Sequence, residues 1–279
     1  MKRFAILLLL ALTQGCSTAI HPVGIGAPSE LQDVPSAIGD VTAVRRPLYE
    51  PNRNGIDDWA GKTEYAEKTD KWFKTGFAIS AGTMLPGEET VVSIDRSVRD
   101  SLKYRYRLTE RDAALHLVAV LKEAITTSNE FRAALPAKEG ALYLLSAEVL
   151  NEQGEAEDTL LSLIEVPEQQ LNARLFTDKD AYHANESVTL HLENFGPTAL
   201  FFGLDYTLEV YEGGAWRALR FDNVAVPALG VSLSPGETYD QPLVLAERLP
   251  PGLYRAAKSF DAEGTKLEAT LAAPFLIVE

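Results

Sequence analysis

The chain has 279 residues, with 26 Lys and Arg against 40 Asp and Glu, a formal net charge of −14 and one cysteine. An acidic surface of that kind repels phosphate backbones and anionic headgroups, which argues against nucleic acid as a partner and against charge-driven membrane binding. A single thiol excludes an internal disulfide and a Cys-built metal centre, so stability has to come from apolar burial, and the length suffices for two cores.

In chain order, residues 1–15 read as a targeting segment. Lys2 and Arg3 form a positive start, and the apolar run Phe4–Leu12 is too short to span a bilayer. The run ends in Leu-Thr-Gln-Gly-Cys16, which resembles the lipobox of bacterial lipoproteins, although Thr13 stands where that family usually has Leu. The resemblance implies that Cys16 is diacylated, with palmitate-type chains, and becomes the new N-terminus. It also implies a lipid bilayer as partner, on the extracytoplasmic face of the cell membrane. An ordinary secretory signal is the other reading. Residues 16–49 hold Pro22, Pro28, Pro35 and Pro47 with Gly24, Gly26 and Gly39 and no sustained apolar period, so a flexible tether is expected, spanning on the order of 30 Å.

Residues 50–75 combine an Asn/Asp-rich loop with a helical period. Glu50, Asn52, Asn54 and Asp58 fall at positions 1, 3, 5 and 9 of a calcium-loop pattern, but its position 12, normally a bidentate Glu, is Gly61. The competing reading is a plain Asn54-Gly55 turn. Ile56, Trp59, Thr63, Ala66, Thr69 and Phe73 then recur at threes and fours, predicting a short helix whose Trp59 and Phe73 side packs on the domain that follows, or else serves a partner.

From 76 to 168 the pattern is that of strands. Lys103–Leu108 alternates cleanly, Phe131–Leu135 reads as a further strand, and 113–125 stays open between helix and strand, the fold favouring strand. Residues 141–166 form a closing hairpin with Tyr143, Leu145, Ala147 and Val149 on one face and a turn at Asn151–Gly154. Residues 169–279 repeat the plan. Glu212-Gly213-Gly214 turns between two alternating runs, Pro-Gly turns stand at Pro235-Gly236 and Pro251-Gly252, and a second closing hairpin puts Tyr254, Ala256 and Phe260 on one face with Lys258 as the discordant member. Displaced by 98 residues, 173–194 lies without gaps on 75–96, with Leu175 on Phe77, Glu186 on Glu88, Leu190 on Val92 and Leu192 on Ile94. Seven or so short strands in roughly 100 residues fit an immunoglobulin-like sandwich. The expected fold is therefore all-β, with two tandem Ig-like sandwiches at 76–168 and 169–279.

YHANESVTLHLEN, FGLDYTLEVYEGGAWRAL, VSLSPGE, LPPGLYRAAKSF and the terminal FLIVE, in that order, look like the bacterial immunoglobulin-like domain of exported proteins and lipoproteins of Gram-positive bacteria. The resemblance covers most of 170–279 and implies a non-catalytic module with no catalytic residues to carry over. A weaker similarity, to the proteinase-inhibitor domain of bacilli through the Pro-Gly-Glu turn, leaves an inhibitor or accessory of extracellular proteases as the alternative.

Catalytic motifs are absent: no Gly-x-Ser-x-Gly, Ser-x-x-Lys, His-Glu-x-x-His or phosphate loop occurs. His21, His116, His183 and His191 are scattered without ligand spacing, and Asp57-Asp58 and Glu88-Glu89 read as surface charge. Trp216 and Tyr254, at alternating positions, read as core before ligand platforms. The expectation is a membrane-anchored envelope lipoprotein, not an enzyme and without a cofactor unless calcium. Its sandwiches would bind an envelope protein or glycan through their loops, or act as a spacer.

Overall fold

The computed structural model describes residues 24–30, 32–49, 59–65, 72–95, 102–184, 186–220, 228–243 and 249–279. These form twenty strands in four sheets, paired as two sandwiches. In the first, β3 (Phe77–Ile79), β5 (Glu89–Ile94) and β8 (Glu130–Ala134) face a five-stranded sheet. Its order is β4 (Gly82–Thr83), β10 (Ala156–Val166), β9 (Ala141–Leu150), β6 (Lys103–Arg111), β7 (Leu117–Thr126). Between the sheets lie Val92, Ile94, Tyr104, Tyr106, Phe131 and the predicted row Tyr143, Leu145, Ala147 and Val149.

In the second sandwich, β11 (Ala173–Thr177), β13 (Thr189–Asn194) and β18 (Thr238–Pro242) face a sheet built on the long hairpin β19 (Gly252–Ala262) and β20 (Glu268–Val278). β12 (Ala181–His183) joins β20, while β14 (Leu200–Gly203), β15 (Thr207–Glu212), β16 (Ala215–Arg220) and β17 (Gly230–Leu233) extend the other side. Leu175, Leu190, Leu192, Tyr254, Ala256, Phe260 and Phe275 are buried between these sheets.

The internal repeat holds at the level of backbone register. Phe77 pairs with Ile94 across β3 and β5, and Leu175 pairs with Leu192 across β11 and β13, the same pair displaced by 98. Tyr143 pairs with Ile164 and Tyr254 with Phe275, the same pair displaced by 111. The chain switches sheets at the same point in each copy: Thr83 runs parallel to Glu165, as Ala181 does to Leu276. The aligned glutamates perform one job. Leu85 N–H donates to Glu88 Oε2 at 3.0 Å, and His183 N–H to Glu186 Oε2 at 2.9 Å, each carboxylate closing a turn that would otherwise leave an amide unbonded. The closing hairpins turn through Gly154 (φ 83°) and Gly264 (φ 70°), a left-handed conformation that glycine adopts without steric cost. Gly264 also rests on the first sandwich: a Cβ there would lie 1.9 Å from Thr83 Cγ2.

Of the segment 113–125, residues 117–125 are strand and 113–116 form the turn before it. Asp112 Oδ1 accepts the amides of Ala114 and His116 at 2.9 Å each, Leu115 adopts φ 67° with its side chain buried, and β7 follows. Lys258, the discordant hairpin residue, points inward and is satisfied there. Its Nζ donates to Gly203 O (2.8 Å), Asp205 O (3.1 Å) and Gln241 Oε1 (3.0 Å) and lies 4.8 Å from the Phe202 ring centroid.

Two expectations are corrected. The flexible tether of 16–49 is, over its described part, docked on the second sandwich. β1 (Gly24–Pro28) adds to the edge of β16, and β2 (Ala37–Ile38) to that of β11. Asp40 N–H donates to Asn172 Oδ1 at 3.0 Å and Arg45 N–H to Phe195 O at 3.0 Å. Open sheet edges need covering, and backbone bonds to a distant strand impose no side-chain period that composition could reveal. The helix expected over 57–74 is reduced, in the described residues, to one 3-10 turn at Ala60–Lys62 that ends at Thr63 in extended backbone. Farther on, Asp158 Oδ2 accepts the amides of Trp72 (2.6 Å) and Phe73 (3.1 Å), a side-chain bond that stands in for helical pairing. Over the described residues 59–65 the chain instead runs as a strap across the sheet.

Candidate functional site

The strap lies over the outer face of β6, β9 and β10, which explains why every residue of β9 is buried although one face of a sandwich sheet ordinarily meets water. Arginines at alternate positions of β6 meet carboxylates there. Arg105 grips Glu148 through Nε (2.5 Å) and Nη2 (2.7 Å), Arg107 Nε reaches Glu123 at 2.7 Å, and Arg111 holds Glu64 of the strap at 2.6 and 2.8 Å. The Arg111 side chain is fully buried, and its bonds to Glu64 hold that carboxyl below its usual range. Tyr65 Oη and Ser146 Oγ share a further bond of 2.8 Å. The Glu64 and Tyr65 contacts fix the strap on the sheet.

Where the strap meets β4 and β10, a cavity of about 310 Å³ opens, lined by Tyr49, Trp59, Gly82, Thr83, Leu142, Leu163 and Glu165. Its walls are aromatic and aliphatic apart from Thr83 and one carboxyl. Burial pushes Glu165 up to about 7, against which only the backbone N–H of Leu48 acts. Among the described residues no Lys, Arg or His lines the space. Sequence reasoning missed this place, yet a signal was there: the alternation of β10 puts Leu161, Leu163 and Glu165 on the face turned away from the core, and an apolar outer face means that something covers it.

Of the residues singled out in the sequence, Cys16, the calcium candidates Glu50, Asn52, Asn54 and Asp58, Asp57 and His21 lie outside the described residues. Tyr254 is core, its hydroxyl donating to Pro250 O at 2.8 Å. Trp216, expected in the core, instead lies half-buried on the outer face of its sheet. Arg255 stacks 4.3 Å from the Trp216 ring centroid and pairs with buried Glu209 at 2.5 Å, while Gln32 of the docked N-terminal segment accepts the Trp216 amide at 2.9 Å. The described histidines stay apart: His116 meets Asp112, His183 the Glu279 carbonyl, and His191 meets Asp240 at 2.7 Å and stacks on Phe176. No three His, Cys, Asp or Glu among the described residues are grouped to hold a metal. The edge strand β7 exposes Leu117, Val118, Val120 and Ile125, each about half accessible.

Residues 169–276 match the family model described as a bacterial Ig-like domain. No curated protein matches the chain. Among solved structures, a red sea bream transglutaminase aligns at 12% identity over 73% of this chain and 31% of its own, with a TM-score of 0.25. A Corynebacterium diphtheriae protein described as membrane anchored aligns at 8% identity over 74% of this chain and 59% of its own, also with a TM-score of 0.25. The chain thus spans less than two thirds of either protein's length.

Proposed function

We propose that this chain is a non-catalytic binding module of the bacterial cell envelope, held at the extracytoplasmic membrane face by acyl chains on Cys16. The observation that carries the reading is the bacterial Ig-like match over 169–276. The acidic charge supports an acyl anchor, since headgroup attraction is not available to hold a chain of net charge −14. The docked N-terminal segment adds geometry. The described pairing begins at Gly24, so seven residues lie between it and Cys16, a reach of at most about 28 Å when fully extended.

The test is crosslinked capture from the native envelope with the chain 17–279, competed by untagged chain. A specific envelope protein or glycan displaced by competition supports the module. Turnover of an envelope substrate, or a nanomolar block of a secreted protease by the same chain, contradicts it, the latter in favour of the inhibitor reading.

A further inference from the structure

The cavity beside the strap contains a carboxyl group, Glu165, without the guanidinium that the buried Glu148 and Glu209 have in Arg105 and Arg255. Glu165 has no cationic partner among the described residues, only the Leu48 amide. A carboxylate taken out of water without a counter-charge is costly, and a ligand that supplies the charge recovers that cost on binding.

We propose that the cavity of Tyr49, Trp59, Leu142, Leu163 and Glu165 binds a small organic cation, an ammonium group on a compact apolar body, with Glu165 as its counter-ion. Two aromatic rings flank the space, and aromatic faces attract cations most strongly where water is excluded. Tyr49 already does so, with Lys62 Nζ 5.5 Å from its ring centroid. No Lys, Arg or His is among the described residues that line the walls, and the net charge of −14 raises cation concentration at the surface. The volume of about 310 Å³ lies at the lower end of ligand pockets, which selects a compact molecule. A sugar would need several polar partners around its ring, whereas Leu142 and Leu163 take up much of the wall. The site stands whether or not Cys16 is acylated.

The probe is choline, titrated into chain 17–279 at constant ionic strength and followed by calorimetry and tryptophan fluorescence. The control is 3,3-dimethylbutan-1-ol, which has the same shape without the charge. Saturable choline binding at least about tenfold tighter than the alcohol is expected, and Glu165→Gln should abolish that preference while alcohol binding persists. Trp59→Ala should weaken both ligands. Equal affinity for the two probes, a preference that survives Glu165→Gln, or no saturable signal from either would each overturn the proposal. Binding of a methyl pyranoside in place of choline would reassign the cavity to sugars.

Discussion

Replacing Glu165 by Gln should stabilise the protein above neutral pH and leave it unchanged in mild acid. Burial raises the carboxyl from 4.5 to about 7. Between those values the folded chain keeps a proton that the unfolded chain has released, so Glu165 lowers stability progressively as pH rises through that window. Below about 4.5 both states are protonated and the cost vanishes; above about 7 it is fully present. The shift corresponds to about 3 kcal/mol at 1.36 kcal/mol per unit. The side chain is only half-buried, so solvent screening reduces the expected effect to ~1–2 kcal/mol. Urea unfolding of 17–279 and its Glu165→Gln variant at pH 4.5, 6 and 8 reads this directly, since other carboxylates such as Glu64 contribute equally to both proteins and cancel. A variant no more stable than the parent at pH 8, or a difference that does not grow with pH, would refute the reasoning.

The shared register predicts parallel damage. Ile94→Ala and Leu192→Ala remove equivalent buried side chains, and each should cost about 2–5 kcal/mol, resolved by calorimetry as loss from a different unfolding transition. Gly264→Ala places a Cβ against Thr83 and strains a residue at φ 70°, so about 1–3 kcal/mol should be lost, with partial recovery when Thr83→Gly clears the clash. Burial lowers Lys258 from 10.5 to about 8, so the unfolded chain binds the extra proton between those values and stability should gain with rising pH there. Lys258→Met, measured in the same denaturation series at pH 8 and 10, should lose that gain.

Much of the fold was legible because strand periodicity is local and strong. The Tyr143 and Tyr254 hairpins, their glycine turns and the ungapped run from 173 onto 75 fix two sandwiches before any contact is known, and the paired glutamates 88 and 186 even share their hydrogen bond. Residues 24–49 were illegible for the opposite reason. Their docking uses backbone groups on strands far along the chain, Gly24 opposite Arg220, and proline- and glycine-rich sequence looks the same whether docked or loose. The strap was misread in kind because its aromatic spacing suits a helix as well as a crossing chain, and only Asp158 and Arg111, distant in sequence, decide between them. Trp216 alternates as a core residue would, but on the wrong face, because Arg255 and Gln32 make a second small packing site outside the sheet. Glu165 was passed over as one acidic residue near a strand end, since the strap that buries it lies about a hundred residues upstream in sequence.

Membrane anchoring is the claim on which the envelope assignment depends, and it rests on one residue. Intact-mass analysis of the detergent-extracted native protein, beside membrane fractionation of the parent and of Cys16→Ser, tests it directly. The account predicts a mature chain beginning at Cys16 with added acyl mass, sedimenting with membranes through a high-salt wash, and a Cys16→Ser protein that does not acquire that mass. A native chain of unmodified mass, free of the membrane fraction, would contradict it.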